Sequence, residues 1–389
     1  MKLLHFSDIH IGMENYAKLD PKTGLSTRLL DFFQTFDFIV DTAIKKDVDA
    51  VVFAGDAYKS RDPNPTQQRG FGERIAKIAK KIPVILVVGN HDTPNAEGKA
   101  NTLDIYSALE IDNVWVSRKP ELLKITTKSG ELQIVTLPWL HKNDYKTVGD
   151  KLNLLYDKLD TSLPAIFLSH CEVAGAEYGS EKGLAIANDV TIPLSLLQDK
   201  KLCYVALGHI HKHQVLSKPS DSPLIVYSGS PQRIDFGEEK EEKGFCLVDI
   251  QKIPKGYSTS FDFIKTNARK FLTMEIKLSP TDSDPNKTIL NEIKKNEIKD
   301  KIVRLVINIP AECNKEIQMD QIKKALSDAN FIAGISRNVE KKHRTILEGQ
   351  EEVERLTPIA ALEKYFQAKK YDAKKVKELE EYAAKLLDS

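Results

Sequence analysis

Seven side chains that can bind metal ions are spread along the chain as far as His211, and each follows shortly after an apolar run. They are Asp8, His10, Asp56, Asn90, His170, His209 and His211. Carboxylates and neutral imidazoles without thiolates suit borderline divalent ions such as Mn, Fe or Zn, and they argue against a purely structural zinc site. The sequence therefore predicts a catalytic metal centre.

So many ligands fit two ions better than one, and Asp56, from the middle of the set, is the natural bridge between them. Two ions about 3.5 to 4 Å apart can activate a water molecule and stabilise both the entering and the leaving oxygen during in-line attack on phosphorus. The predicted chemistry is hydrolysis of a phosphate ester.

The segment G-N-H-D at 89–92 follows the apolar run 82–88, and the carboxyl ends of parallel strands are where open α/β sheets place their sites. Alone, such a segment could be a polar turn that caps a helix, and D-x-H at Asp8 and His10 could be a cap with a solvated histidine. The agreement among separate stretches favours the metal site.

Short apolar runs predict the strands that position these residues. The runs are 3–6, 50–54, 82–88, 164–169, 202–207, 223–227 and 244–250. An amphipathic helix at 25–45 completes a βαβ unit, so Asp8 and Asp56 should emerge at the same sheet edge. Alternating segments between 114 and 137 predict antiparallel strands. His5, inside the first strand, is expected to be a core histidine.

The composition limits the alternatives. The 389 residues are 41% hydrophobic and 29% charged, which is typical of a soluble globular protein with accessory domains. The net charge of +1 excludes binding of nucleic acid by bulk charge, so any DNA contact needs a local patch. The 4 cysteines form no C-x-x-C pair, and neither a signal peptide nor an apolar run of about 20 residues is evident. We expect a cytoplasmic protein.

In order, the stretches D-x-H, G-D, G-N-H-D, a single His and G-H-x-H resemble the calcineurin-like metallophosphoesterases. Within that superfamily, the opening H-F-S-D-I-H-I-G, the S-G-S-P-Q-R at 228–233 and the C-terminal appendages are similar to the SbcD-type DNA repair nuclease subunits. The resemblance implies an α/β sandwich of two mixed sheets flanked by helices, then a small α+β cap and a C-terminal helical hairpin. It also implies manganese-dependent exonuclease and endonuclease activity at DNA ends in double-strand-break repair.

The same resemblance implies a role for each site residue. One ion would be held by Asp8, His10, Asp56 and His211, and a second by Asp56, Asn90, His170 and His209. His91 would be a general acid or transition-state stabiliser rather than a ligand, and Asp92 would orient it. Two Mn²⁺ per chain are expected, although Fe, Zn or Mg would also suit the ligands.

The resemblance further implies a domain order and partners. Residues 1–263 would be the nuclease domain, 264–340 a DNA-capping domain, 341–356 a linker, and 357–389 a hairpin that binds an SbcC-type ABC ATPase. A homodimer is also expected. The apolar residues predicted to contact the ATPase are Leu362, Tyr365, Phe366, Val376, Leu379 and Leu386. The alternative is that these helices dock on the chain's own core.

Three basic residues are candidates for DNA contacts. Lys59 stands where the family often has His or Asp, and it could bind a DNA phosphate or be a solvated loop lysine. Arg61 could line a DNA groove. Arg233 could reach a phosphate or form a structural ion pair.

Two alternative functions remain. A small-substrate phosphatase or cyclic-nucleotide phosphodiesterase would not need the long C-terminal extension. A non-catalytic scaffold for the ATPase would not need the full ligand set and His91.

Overall fold

The computed structural model describes residues 1–94, 96, 98–140, 145–179, 190–218, 223–311, 317–340, 357–369 and 371–387. The predicted linker at 341–356 lies outside the described residues. The chain divides into two compact units. The first comprises Met1–Ile276, Asn286–Val306 and Gln318–Ser336, and the second comprises Lys277–Pro285, Ile307–Ile317 and Arg337–Ser389. The predicted domain boundaries stay predictions.

A six-stranded mixed sheet supplies the first half of a two-sheet sandwich. Its strands, in spatial order, are β14 (Gly256–Lys265), β13 (Gly244–Ile253), β1 (Lys2–Phe6), β2 (Ala50–Phe53), β3 (Val84–Val87) and β4 (Val114–Ser117). Strands β1 to β4 are parallel neighbours, and β13 is antiparallel to both β1 and β14. Every residue of β2 and β3 is buried, as their continuous apolar runs require.

A second six-stranded mixed sheet supplies the other half. Its order is β11 (Gln214–Val215), β12 (Leu224–Tyr227), β10 (Tyr204–Gly208), β7 (Ala165–His170), β6 (Gly130–Leu137) and β5 (Glu121–Thr127). The strands from β12 to β6 are parallel neighbours, whereas β5 and β11 are antiparallel edges. A separate pair, β8 (Glu172–Val173) and β9 (Thr191–Ile192), forms a two-stranded sheet.

One apolar core lies between the two sheets. Val52 and Ile85 of the first sheet and Ile134 and Ile166 of the second belong to the same buried cluster. The α/β sandwich of two mixed sheets that the sequence predicts is therefore confirmed.

Helices cover the outer faces of the sheets. These are α1 (Thr27–Lys45), α2 (Pro65–Ala79) and α3 (Asp104–Ala108) on the first sheet and α4 (Val148–Asp157) on the second. Ser26 caps α1 by accepting a hydrogen bond from the Leu29 N–H, and Asn64 and Gln67 form a capping box at α2, which begins with Pro65.

Two of the longer strands differ from the sequence prediction. Strand β4, expected in an antiparallel arrangement, pairs in parallel with β3 in the first sheet, whereas β5 and β6 form the antiparallel hairpin. Strand β14 was not predicted. It is an edge strand whose residues are all partly or fully exposed, so it lacks the apolar run that reveals a central strand.

A three-stranded sheet follows in the chain. Its order is β15 (Phe271–Lys277), β16 (Ile302–Ile309) and β17 (Phe331–Val339), with α5 (Pro285–Lys294) and α6 (Met319–Ala325) in the connections.

The C-terminal segment forms two helices, α7 (Pro358–Ala368) and α8 (Ala373–Leu387), which contact each other. Phe366 is 8% exposed, and its ring lies 5.8 Å from that of Tyr365 and 5.7 Å from that of Tyr371. Leu362, Val376 and Leu379 are half-buried, and Leu386 lies within α8. No helix in the described part of the chain has the length and apolar character needed to cross a membrane.

Candidate metal centre

The seven predicted ligands meet where the two sheets bring together the carboxyl ends of their parallel strands. Strands β1, β2 and β3 deliver Asp8, His10, Asp56 and Asn90, and strands β7 and β10 deliver His170, His209 and His211. Because both sheets are needed, the site exists only in the folded sandwich. Asp8, His10, Asp56 and His170 are almost fully buried.

One group of candidate ligands comprises Asp8, His10 and His211. Their ligand atoms all lie within 4.8 Å of one another. The Nε2 atoms of His10 and His211 are 3.0 Å apart, and the His10 Nε2 is 3.5 Å from the Asp56 Oδ2. Four ligand atoms from three segments of the chain can therefore surround one ion.

A second group shares Asp56 with the first. The His170 Nε2 lies 3.5 Å from the Asp56 Oδ2 and 2.8 Å from the Asn90 Oδ1. The Asn90 Oδ1 lies 3.2 Å from the His209 Nδ1. Since one carboxylate oxygen of Asp56 lies at 3.5 Å from a histidine of each group, its position is that of a bridging ligand.

The backbone at four of these residues is left-handed. The φ angles are 51° at Asp8, 44° at His10, 62° at Asp56 and 96° at His209. Such conformations cost of order 1 to 3 kcal/mol each at a residue with a side chain, and they cluster at functional sites. The turns at the strand ends therefore hold side chains at angles that unstrained backbone would not give.

The ionisable side chains at the site shift one another's pKa values. Burial raises the pKa of Asp8. Burial also acts to raise the pKa of Asp56, but the imidazoles of His170 and His91 outweigh it and hold that pKa well below its usual range. For His170, burial lowers the pKa, yet the Asp56 carboxylate beside it raises the net value to about 9. Two buried carboxylates close to several imidazoles are the donor set of a divalent metal centre.

Hydrogen bonds to the Nδ1 atoms fix which nitrogen of two histidines faces the site. The Nδ1–H of His170 donates to the Ala54 carbonyl at 2.7 Å, and that of His211 donates to the Glu238 Oε1 at 2.8 Å. In the neutral rings the Nε2 atoms are then free of hydrogen, as metal ligands must be. The residues present therefore fit a pair of divalent ions.

Sequence reasoning missed Glu238. This residue ends a short 3-10 turn, Phe236–Glu238, and its side chain is fully buried. Burial acts to raise its pKa, but Lys243 and His211 lower it to about 2. The one sequence signal for Glu238 is its position shortly after the S-G-S-P-Q-R segment.

Comparison with known proteins identifies the family. Residues 1–213 match the family model described as calcineurin-like phosphoesterase, and this range contains all seven predicted ligands. The chain belongs to this family. The prediction of a metallophosphoesterase is confirmed.

Relatives of this phosphoesterase bear repair and nuclease names. It is 26% identical over 340 residues to the DNA double-strand break repair protein Mre11 of Saccharolobus solfataricus, covering 86% of this chain and 80% of that protein. It is 27% identical over 280 residues to the SbcD component of the nuclease SbcCD of Bacillus subtilis, covering 64% of this chain and 66% of that protein, just under two thirds. A solved dimetal phosphatase from Danio rerio is similar over 67% of this chain and 98% of its own, with 11% identity and a TM-score of 0.38.

His91 lies beside the predicted ligands of the phosphoesterase. Its ring is 4.9 Å from the His10 ring, and its ligand atom lies within 4.8 Å of those of His10 and Asp56. Its Nδ1–H donates to the Lys59 carbonyl at 2.7 Å, and its backbone N–H donates to the Asp56 Oδ1 at 2.9 Å. The side chain is thus held at the edge of the site.

Asp92 makes hydrogen bonds to three backbone groups, and its predicted role in orienting His91 stays a prediction. Its carboxylate accepts hydrogen bonds from the backbone N–H groups of Asp56, Ala57 and Gly89 at 3.0 Å each. The described hydrogen bonds of the His91 ring go to Lys59 and not to Asp92. Asp92 therefore joins the loops after β2 and β3, and the carbonyl of Lys59 orients His91.

The three predicted DNA-binding residues differ in solvent exposure and in the hydrogen bonds that they already make. The side chains of Lys59 and Arg61 are exposed, and the Arg61 Nε donates to the Thr93 carbonyl. The guanidinium of Arg233 donates to the carbonyls of Glu238, Ala268, Arg269 and Glu241. Arg233 therefore joins backbone segments, and its contact with a DNA phosphate stays a prediction.

Proposed function

We propose that this phosphoesterase is a manganese-dependent DNA nuclease, with exonuclease and endonuclease activity, that acts at DNA ends in double-strand-break repair. The observation that carries the proposal is the pair of ligand groups that share Asp56, with His91 beside them. Relatives of the chain that bear repair and nuclease names support DNA as the substrate class.

Two bound ions would supply Lewis acidity at the phosphate and would activate the attacking water. One would be held by Asp8, His10, Asp56 and His211, and the other by Asp56, Asn90, His170 and His209. The chain contributes the geometry. Asp56 lies between the two ligand groups, and the strained turns after β1, β2 and β10 present Asp8, His10, Asp56 and His209.

His91 would contact the scissile phosphate. Because the Lys59 carbonyl accepts its Nδ1–H, the Nε2 is the atom that can carry a second proton. A protonated imidazole at that position can donate a hydrogen bond to the developing alkoxide of the leaving group. The exposed side chains of Lys59 and Arg61 would add a small basic surface for the DNA backbone.

The partner proposals rest on the resemblance to the SbcD-type nucleases. The helices α7 and α8 would bind the SbcC-type ATPase, residues 264–340 would cap the DNA, and the chain would form a cytoplasmic homodimer. The name of the Bacillus subtilis relative, a component of SbcCD, is consistent with such a complex.

The test is hydrolysis of end-labelled duplex and single-stranded DNA by the purified chain with Mn²⁺, beside bis(p-nitrophenyl) phosphate as a small phosphodiester. Asp56→Asn is the diagnostic variant because it removes the shared carboxylate. We expect metal-dependent DNA cleavage by the natural chain, and a loss of at least about a hundredfold in the variant.

Hydrolysis of the small ester alone, with and without an added ATPase partner, would instead favour a small-substrate phosphatase or cyclic-nucleotide phosphodiesterase. Binding of the ATPase without metal-dependent hydrolysis of either substrate would favour a scaffold. Cleavage of DNA that survives in Asp56→Asn would overturn the assignment of the site.

A further inference from the structure

The candidate ligand His211 has a charged acceptor behind it, unlike His170. The Glu238 Oε1 lies 2.8 Å from the His211 Nδ1, whereas the corresponding acceptor for His170 is the neutral carbonyl of Ala54. A carboxylate that accepts the Nδ1–H of a metal-binding imidazole fixes its tautomer and makes its Nε2 a stronger donor. The two ligand groups therefore differ in the basicity of one imidazole.

Glu238 is itself held in place as an anion. Its Oε2 lies 2.9 Å from the Lys243 Nζ and accepts the backbone N–H of Ile234 at 2.9 Å. Both Glu238 and the Lys243 side chain are fully buried. A buried lysine beside a buried carboxylate provides the countercharge that lets the carboxylate stay ionised away from water.

Lys243 also contacts the backbone of His211. Its Nζ donates to the His211 carbonyl at 3.2 Å, to the Ser230 Oγ at 3.0 Å and to the Glu241 Oε2 at 2.8 Å. The same lysine thus holds the carboxylate behind the imidazole and the peptide group that carries it. Neither the ring nor the backbone of His211 can turn without breaking one of these bonds.

We propose that Glu238 is the positioning residue for the metal ligand His211 and that, with Lys243 as its counterion, it strengthens the ion site formed by Asp8, His10 and His211. The inference rests on the proposed metal-dependent function. It predicts that the two ion sites differ in their dependence on Glu238, because this carboxylate accepts from His211 in one site, whereas the Nδ1–H of His170 in the other site donates to the Ala54 carbonyl.

The test is a titration of the full-length metal-free chain with Mn²⁺ by isothermal calorimetry, comparing the natural protein with Glu238→Gln. The amide keeps the size of the side chain and an oxygen acceptor, but it removes the charge. We expect one of the two Mn²⁺ sites to weaken by about 10- to 100-fold while the other is unchanged. Hydrolysis by the variant should recover at high Mn²⁺.

Glu241→Gln is the matched control. It removes the other carboxylate that contacts Lys243 and leaves the hydrogen bond to His211 in place. We expect both Mn²⁺ affinities to stay within about twofold of the natural protein. An equal loss in both variants, or equal weakening of both sites in Glu238→Gln, would overturn the proposal and leave Glu238 a general structural role.

A second measurement covers the case in which Glu238→Gln does not fold. In the natural protein labelled with ¹⁵N and loaded with Zn²⁺, long-range proton–nitrogen spectra report which His211 nitrogen carries hydrogen. A hydrogen on Nδ1 with the ion on Nε2 supports the proposal, and an ion on Nδ1 overturns it. Neither the calorimetric titration nor the spectra use DNA. A failure of the nuclease proposal can therefore be told apart from a failure of the proposal for Glu238.

Discussion

His91 is the residue on which the assignment of catalytic roles depends. Its ring is close enough to His10 and Asp56 to be a ligand, yet its Nδ1–H is taken by the Lys59 carbonyl. We predict that His91→Asn lowers DNA cleavage by about 10² to 10⁴-fold, the usual contribution of a general acid, and leaves the Mn²⁺ content unchanged.

Metal analysis of the purified variant, beside Asp56→Asn as the variant expected to lose metal, measures this directly. A loss of Mn²⁺ in His91→Asn would show that the residue is a ligand. If His91→Asn cleaved DNA at the natural rate, His91 would have no role in catalysis.

The core histidine His5 gives a prediction for pH. It is fully buried, accepts from the Tyr204 hydroxyl at 3.0 Å and donates to the Leu207 carbonyl at 3.2 Å, and burial lowers its pKa to about 3. The His5 imidazole therefore binds a proton near pH 6.5 in the unfolded chain but only near pH 3 in the folded chain. The contribution of His5 to stability is thus complete above pH 6.5 and decreases as the pH falls from 6.5 toward 3.

We predict that this one group makes the free energy of unfolding fall by roughly 1.4 kcal/mol per pH unit below pH 6.5. Denaturant unfolding of the natural chain and of His5→Gln between pH 5 and 6.5 measures how the free energy of unfolding changes with pH. The variant should lack the contribution of His5 to this slope. Equal slopes would show that His5 is protonated in the folded state.

At the residue scale, the sequence revealed the candidate ligands because each one follows an apolar strand. It could not reveal Glu238, since nothing in a run of glutamates and lysines shows which carboxylate turns inward to His211. Nor could it decide between the two roles of Arg233, because the carbonyls that surround its guanidinium come from two separate segments.

Among the elements, the turn after β3 is the one packed most tightly against a predicted ligand. A methyl group at Gly89 would overlap the side chain and backbone nitrogen of Asp56. We predict that Gly89→Ala displaces Asp56 and weakens Mn²⁺ binding by at least about tenfold, with loss of cleavage.

Gly72→Ala is the control, since a Cβ there would lie 3.4 Å from its nearest neighbour, the Tyr106 hydroxyl, within α2. Alanine in place of glycine inside a helix should stabilise it by roughly 0.5 to 1 kcal/mol and leave Mn²⁺ affinity unchanged. Calorimetric titration measures the Mn²⁺ affinity of both variants. If Gly89→Ala binds Mn²⁺ as tightly as the natural protein, the turn can shift to accommodate the methyl group.

Element types were predictable where burial is complete and less so at sheet edges. The fully buried strands β2 and β3 have continuous apolar runs, and α2 has a capping box with proline at its start. The edge strand β14 buries neither face fully, and whether β4 pairs with β3 or with the following hairpin depends on contacts that local pattern does not contain.

For the whole molecule, the C-terminal helices are the part proposed to bind the partner. We predict that deletion of residues 357–389 retains Mn²⁺-dependent cleavage within about twofold and abolishes binding of the SbcC-type ATPase, because the apolar residues of α7 and α8 form the proposed contact. Co-purification with the ATPase and the end-labelled DNA assay measure the two effects.

Leu379→Asp, at a half-buried position of α8, should reproduce the loss of binding, whereas Lys377→Ala, at an exposed position, should not. Binding of the ATPase by the truncated chain would refute the partner role of the hairpin and favour the alternative that these helices dock on the chain's own core.

The ligand set draws on both sheets, which has a consequence for folding. His10 and His211 are 201 residues apart in sequence, and their Nε2 atoms are 3.0 Å apart. An ion bound by both would close a very long loop and, at a free concentration 100 times its Kd, would add about 2.7 kcal/mol to the free energy of unfolding. Chelation should therefore lower the melting temperature of the entire sandwich, and a low supply of metal would then reduce the amount of folded protein that survives proteolysis.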